Sequence, residues 1–105
     1  MIEKMIEMNS IRNQRLSSIF YMEIAEILMK DEIKKGFLIT LIKIRMTHDL
    51  SLIKSYISMY PFLDQEILKK IRSKSGLYRK LLSKKLRYRV KKIPELDFCV
   101  VNFRN

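Results

Sequence analysis

Metal-binding and redox side chains are almost missing from this chain, and acidic ones are missing from a long stretch of it. Cys99 is the single cysteine and His48 the single histidine among 105 residues. One thiol cannot close an internal disulfide, so the expected setting is the reduced cytoplasm. A zinc centre takes three or four ligands, and one His and one Cys about fifty residues apart do not make one. Tryptophan is absent, and two glycines and two prolines are all the chain has. That leaves no Gly-rich phosphate loop. The longest apolar run, Gly36 to Ile42, is broken by Thr40 and is far short of the roughly 20 residues of a transmembrane helix. Met1 to Met8 carries Glu3 and Glu7 and has no small-residue cleavage site, unlike a signal peptide.

What is present is a globular composition with an uneven charge. Hydrophobic residues make up 48% of the chain, too many for a disordered basic tail. Its length is that of one domain with one modest core. The net charge is +11. Residues 1–35 hold six bases and six acids, and residues 36–66 hold three of each. Residues 67–105 hold thirteen bases against Glu95 and Asp97, and Ile67 to Pro94 holds twelve bases and no acid. A balanced body with a basic end is the electrostatic footprint of a polyanion-binding protein, most often one for nucleic acid.

Hydrophobic periodicity orders the chain. Ser10 is a candidate N-cap, and Leu16, Ile19, Phe20, Ile24 and Ile27 share one helical arc. The helix is expected to end near Lys34-Lys35-Gly36, where lysines suit the negative end of the helix dipole. Residues 1–9 then form an N-terminal extension, and residues 10–105 the domain. Glu23 falls inside the apolar arc and reads as a carboxylate paired at the core edge. Leu38 to Thr47 is a β-branched strand whose later half alternates, with Ile42, Ile44 and Met46 on one side and Lys43 and Arg45 on the other. After a polar turn at Thr47–Ser51, Leu52 to Tyr60 alternates again, with Ile53, Ser55, Ile57 and Met59 facing one way. The pair predicts an antiparallel hairpin, which Pro61 stops.

Asp64 is positioned to cap a second helix with Ile67, Leu68 and Ile71 on its apolar side. Ser73-Lys74-Ser75-Gly76 interrupts it. A third helix runs from Leu77 to about Arg89, with Leu77, Tyr78, Leu81, Leu82, Leu86 and Tyr88 on a broad apolar arc. Arg79, Lys80, Ser83, Lys84 and Arg87 project from the other side, while Lys85 and Arg89 fall within the arc and snorkel past it. Leu96 to Phe103 reads as a last strand. A strand returning after a helical crossover runs parallel to one already present. The expected fold is α+β, in the order α-β-β-α-α-β, with a three-stranded mixed sheet and helices on one face.

No catalytic constellation is visible. A Cys99/His48 nucleophile pair is conceivable, but Cys99 lies in an apolar strand, where a buried, inert thiol is the simpler reading. Met46 and Met59 read as core filler rather than a methionine-lined groove. The basic stripe is different. Like charges at i,i+4 repel, and a helix face with five or more bases and no acid accepts that repulsion without return unless an anion lies nearby. A membrane is the poorer anion, because the apolar side of helix 3 is needed for the core. Tyr56 and Tyr60, on the outward face of strand 2, could stack on bases; packing beneath the N-terminal segment, or simple exposure, accounts for them equally well.

The ordered features then resemble a known family. The α-β-β-α-α-β order with a Ser-Gly kink is similar to a type II KH domain without a GxxG loop. Ser10-Ile11-Arg12-Asn13-Gln14-Arg15-Leu16, Ile44-Arg45-Met46-Thr47-His48-Asp49-Leu50, Ser75-Gly76-Leu77-Tyr78-Arg79-Lys80-Leu81-Leu82, Leu86-Arg87-Tyr88-Arg89 and Pro94-Glu95-Leu96-Asp97-Phe98 together resemble the ribosome-binding factor A family over residues 10–103. The family often has Ala where Lys74 stands. The resemblance implies a monomeric, non-enzymatic cytoplasmic factor, without cofactor, metal, membrane or small-molecule substrate. Such a factor binds 16S rRNA of the immature 30S subunit near its neck, assists late maturation and is associated with growth in the cold. The expected rRNA-binding residues are Arg72, Lys74, Arg79, Lys80, Lys84, Arg87, Lys91 and Lys92, with Arg12, Arg15 and Arg45 as a secondary patch. Their role would be to neutralise and position phosphates. The alternative is a KH-like RNA- or DNA-binding module acting outside the ribosome.

Overall fold

The computed structural model describes residues 2–31, 33 and 35–101, with side chains described from residue 14 onward. Its elements are α1 (Ile2–Lys30), β1 (Leu38–Met46), β2 (Leu52–Tyr60), α2 (Gln65–Ser73), α3 (Ser75–Leu86) and β3 (Glu95–Val100). The order is the expected α-β-β-α-α-β. Lys34, Asn102 and Phe103, assigned above to the end of the first helix and to the last strand, lie outside the described residues, as does the Arg12 side chain; Val101, assigned to the same strand, falls just past its end at Val100.

The sheet has the order β1-β2-β3, with β1 antiparallel and β3 parallel to β2. Its inner face presents Leu41, Ile53, Ser55, Ile57, Met59, Leu96 and Phe98, all buried. Against this face pack Phe20, Ile24 and Leu28 of α1, Ile67, Leu68 and Ile71 of α2, and Tyr78, Leu82 and Leu86 of α3. The periodicity of β2 is borne out residue by residue: Ile53, Ser55, Ile57 and Met59 are buried, and Lys54 and Tyr60 are exposed. In β1 the register shifts between Leu41 and Lys43, which makes Ile42 the extra residue of a bulge. The Tyr21 hydroxyl donates to the Leu41 carbonyl at that point, at 2.9 Å.

Three local expectations change. Ser10 does not cap α1, because the helix already begins at Ile2. Its last helical residue is Lys30, so Gly36 serves a separate turn, where its φ of +90° suits glycine. At the other end of the chain, α3 ends at Leu86 rather than near Arg89. Residues 87–89 continue as a turn in which the Arg89 and Val90 amides donate to the Leu86 carbonyl.

Two capping groups act as their chemistry dictates. Asp64 Oδ1 accepts from the amides of Glu66 at 2.9 Å and Ile67 at 3.2 Å, satisfying two orphan donors at the start of α2. In the β1–β2 turn Asp49 Oδ1 accepts from the hydroxyls of Thr47 at 2.8 Å and Ser51 at 2.7 Å, and from the Ser51 amide at 3.1 Å. These donors hold the Asp49 carboxyl at about 2, well below its ordinary value.

Candidate nucleic-acid interface

The basic segment occupies α2, the kink at Lys74, α3 and the connection to β3. Its cations divide into two groups with different work. Arg72 donates from Nε and Nη2 to the Phe98 carbonyl, at 3.1 and 3.0 Å, and so ties the end of α2 to β3. Arg79 donates from Nε to the Pro94 carbonyl at 3.1 Å and from Nη2 to the Ile93 carbonyl at 3.0 Å, which fastens the connection after α3 back onto the helix. Lys74 reaches both oxygens of Asp31, at 3.0 and 3.1 Å. These three bases hold the fold together at the points where the elements meet.

The second group is exposed. Lys80, Lys84, Arg87, Lys91 and Lys92 all reach solvent. Only Tyr78, Leu82 and Leu86 of α3 are buried, a narrow stripe at i, i+4 and i+8. The outward face is accordingly wider than the broad apolar arc anticipated. Leu77 and Leu81 line a groove of about 510 Å³ between α1 and α3, together with Glu23, Glu26 and Lys84. Tyr88 is 88% exposed, with the Arg87 guanidinium 4.9 Å from its ring centre. Lys85 also stands out from the helix, its Nζ 4.0 Å from Glu26 Oε1.

The secondary patch is dispersed. Arg15 is exposed on α1, while Arg45 is exposed on the sheet face turned away from the helices. Exposed Lys69 and Lys70 on α2 extend the cationic surface; the acid-free run already contained that signal. Gly76 sits in the first turn of α3, and a Cβ there would meet nothing within 4 Å. The chain itself does not demand a glycine at that place.

Among the described residues no group of three or more His, Cys, Asp or Glu could hold a metal ion. Cys99 is half-buried, its Sγ 4.0 Å from Asp97 Oδ2. No described helix is long and apolar enough to cross a membrane.

This arrangement, a three-stranded mixed sheet with helices on one face and a kink between α2 and α3, is that of the KH-like α+β domains. Residues 12–100 match the family model of Ribosome-binding factor A. The chain is 36% identical over 91 residues to the ribosome-binding factor A of Pelodictyon phaeoclathratiforme, an alignment covering 85% of this chain and 76% of that one. It is 34% identical over 91 residues to that of Chlorobaculum tepidum, with the same coverage. The chain belongs to the ribosome-binding factor A family. The fold agrees with the crystal structure of ribosome-binding factor A from Thermus thermophilus, at a TM-score of 0.70 and 18% identity over 83% of this chain and 92% of that one. It also agrees with a homology model of the Thermus thermophilus factor fitted into the cryo-EM map of a 30S-RBFA complex. There the TM-score is 0.67 and the identity 20%, over 81% and 90% of the two chains.

Proposed function

We propose that this protein is a non-enzymatic cytoplasmic factor that binds 16S rRNA of the small ribosomal subunit as a monomer and assists its late maturation. The contact surface in this reading is the outward side of α3 and the segment after it, with Lys80, Lys84, Arg87, Lys91 and Lys92 against RNA phosphates. The observation that carries it is a division of labour among the cations: Arg72, though exposed, and half-buried Lys74 and Arg79 hydrogen-bond within the fold, whereas these five face solvent in a stretch without an acid. Family membership supports the partner, since the fitted Thermus relative is described as part of a 30S complex. Lys or Arg on a rigid helix face neutralises phosphates and sets orientation without reading bases. Folded RNA, recognised by shape, suits such a surface. Arg72, Lys74 and Arg79 contribute by holding the surface in place, and Arg15 and Arg45 are peripheral to it.

The test is co-sedimentation with free small subunits. Lys80, Lys84 and Arg87 changed together to Glu should abolish it with the thermal midpoint nearly unchanged. Undiminished binding by that variant would remove the stripe as the contact surface. Crosslinking in cells that recovered mainly messenger RNA or DNA would favour a module acting outside the ribosome.

A further inference from the structure

The face of the sheet turned away from the helices is open, and its composition is not that of an idle surface. Its rows follow from the pairing: Arg45 of β1 lies opposite Lys54 of β2, which lies beside Asp97 of β3, and in the next row Lys43 lies opposite Tyr56, which lies beside Cys99. Lys43, Arg45 and Lys54 are exposed, and Tyr56 is half-buried between its neighbours. The Lys43 ammonium stands 5.1 Å from the centre of the Tyr56 ring. A cation–π contact alone would account for Lys43. It does not account for Arg45 set directly across from Lys54, because like charges in opposed cross-strand positions destabilise a sheet. Asp97 flanks only Lys54 and offsets one of the three charges. The β1 side of the face is therefore cationic around an aromatic ring, and the β3 side is acidic.

We propose that this open face is a second RNA-contact surface, on which a base of a single-stranded segment stacks against Tyr56 while Lys43, Arg45 and Lys54 hold the adjoining phosphates. A half-buried ring in the middle strand is fixed by its neighbours, so little freedom is lost when a base covers it. Residues two apart along β1 stand about 7 Å apart on the same face, so Lys43 and Arg45 form a short cationic track beside the ring. A ring flanked by cations is the general design of single-strand platforms, in which stacking is tolerant of sequence and the charges follow the backbone. The acidic β3 side, with Asp97 and Glu95, bounds the track and directs the strand along β1. The surface lies on the opposite side of the sheet from α3, so the two contacts can be tested apart.

The experiment is fluorescence anisotropy with a labelled single-stranded oligouridine octamer at low salt. Tyr56→Ala should weaken binding about ten-fold, and Tyr56→Phe should stay within two- to three-fold of the parent, because the ring rather than the hydroxyl does the stacking. Arg45→Glu, a change at an exposed position, should weaken it as well, and the loss should grow with falling salt. The Lys80/Lys84/Arg87 triple Glu variant should keep most of its octamer affinity even though small-subunit binding is lost. Octamer binding unchanged by both Tyr56→Ala and Arg45→Glu, or lost only in the α3 variant, would overturn the proposal while leaving the proposed α3 contact standing.

Discussion

The Tyr78 hydroxyl donates to Asp31 Oδ2 at 2.6 Å, across 47 residues of sequence. The same carboxylate holds the Lys74 ammonium. One side chain just beyond the end of α1 thus fixes both the kink between α2 and α3 and the first turn of α3. Tyr78 is also packed edge-on against Phe98, with ring centres 5.8 Å apart. The kink is held from the polar side by Asp31 and from the core side by Phe98.

Removing the donor tests this directly. Tyr78→Phe keeps the packing and leaves the carboxylate one bond short, and is expected to lower unfolding free energy by about 1–2 kcal/mol. Asp31→Ala is expected to cost more, because it strands a buried hydroxyl and a part-buried ammonium together. Urea unfolding midpoints at constant slope would check both.

The acid limb of stability should depend on the same carboxylate. Burial alone raises the Asp31 pKa, but the Tyr78 hydroxyl and the Lys74 ammonium outweigh it and hold the carboxyl below its ordinary 3.8. Asp49 is held down to about 2 by the Ser51 and Thr47 hydroxyls. Both groups take up protons more readily in the unfolded chain. Their stabilisation is therefore complete above about pH 4 and is lost as pH falls towards 2. Stability measured from pH 5 to pH 2 should decline over that window, and Asp31→Asn should flatten the decline; an equally steep limb in the variant would contradict the assignment.

Arg79 and Lys84, five residues apart on α3, should respond oppositely. Arg79→Ala removes two charge-assisted bonds to the Ile93 and Pro94 carbonyls and is expected to destabilise by about 1.5–3 kcal/mol. Lys84→Ala should fall within about 0.5 kcal/mol of the parent and act on subunit binding instead. A multiple charge reversal that included Arg79 would confound the two effects; the Lys80/Lys84/Arg87 variant leaves Arg79 and its two bonds in place.

Gly76→Ala is expected to stabilise the domain by about 0.5–1 kcal/mol, since a Cβ there meets nothing and alanine is the better helix former. If the more stable variant sediments less with small subunits, the glycine serves close approach of a partner rather than the fold. Thermal melts and sedimentation on one preparation separate the two.

How far the sequence could be read depended on the range of the interaction. The β2 strand and the Asp64 cap rest on neighbours within a few positions, and their spacing announced them. The basic α3 face was legible for the same reason. The anchoring of Arg72 on Phe98, Arg79 on Ile93 and Lys74 on Asp31 was not, because each partner lies 14 to 43 residues away and is in two cases a backbone carbonyl. A carbonyl carries no signature in the sequence. The ends of α1 were misread because a helix continuing past Ser10 and stopping at Lys30 is decided by backbone geometry rather than by the polar residues near each end.

The Ile42 bulge sets the parity of β1. Before it, odd-numbered Ile39 and Leu41 point inward; after it, even-numbered Ile44 and Met46 do. Were Ile42 paired in the ladder like its neighbours, strict alternation would send Lys43 and Arg45 into the core and Ile44 to water. One phase slip, steadied by Tyr21 of α1, thus allows a strand of mixed parity to keep one apolar side along its whole length and to turn Lys43 and Arg45 outward. Deleting Ile42 would set Leu41 beside Lys43, as their partners Ile57 and Tyr56 already are, and restore plain alternation with each side kept.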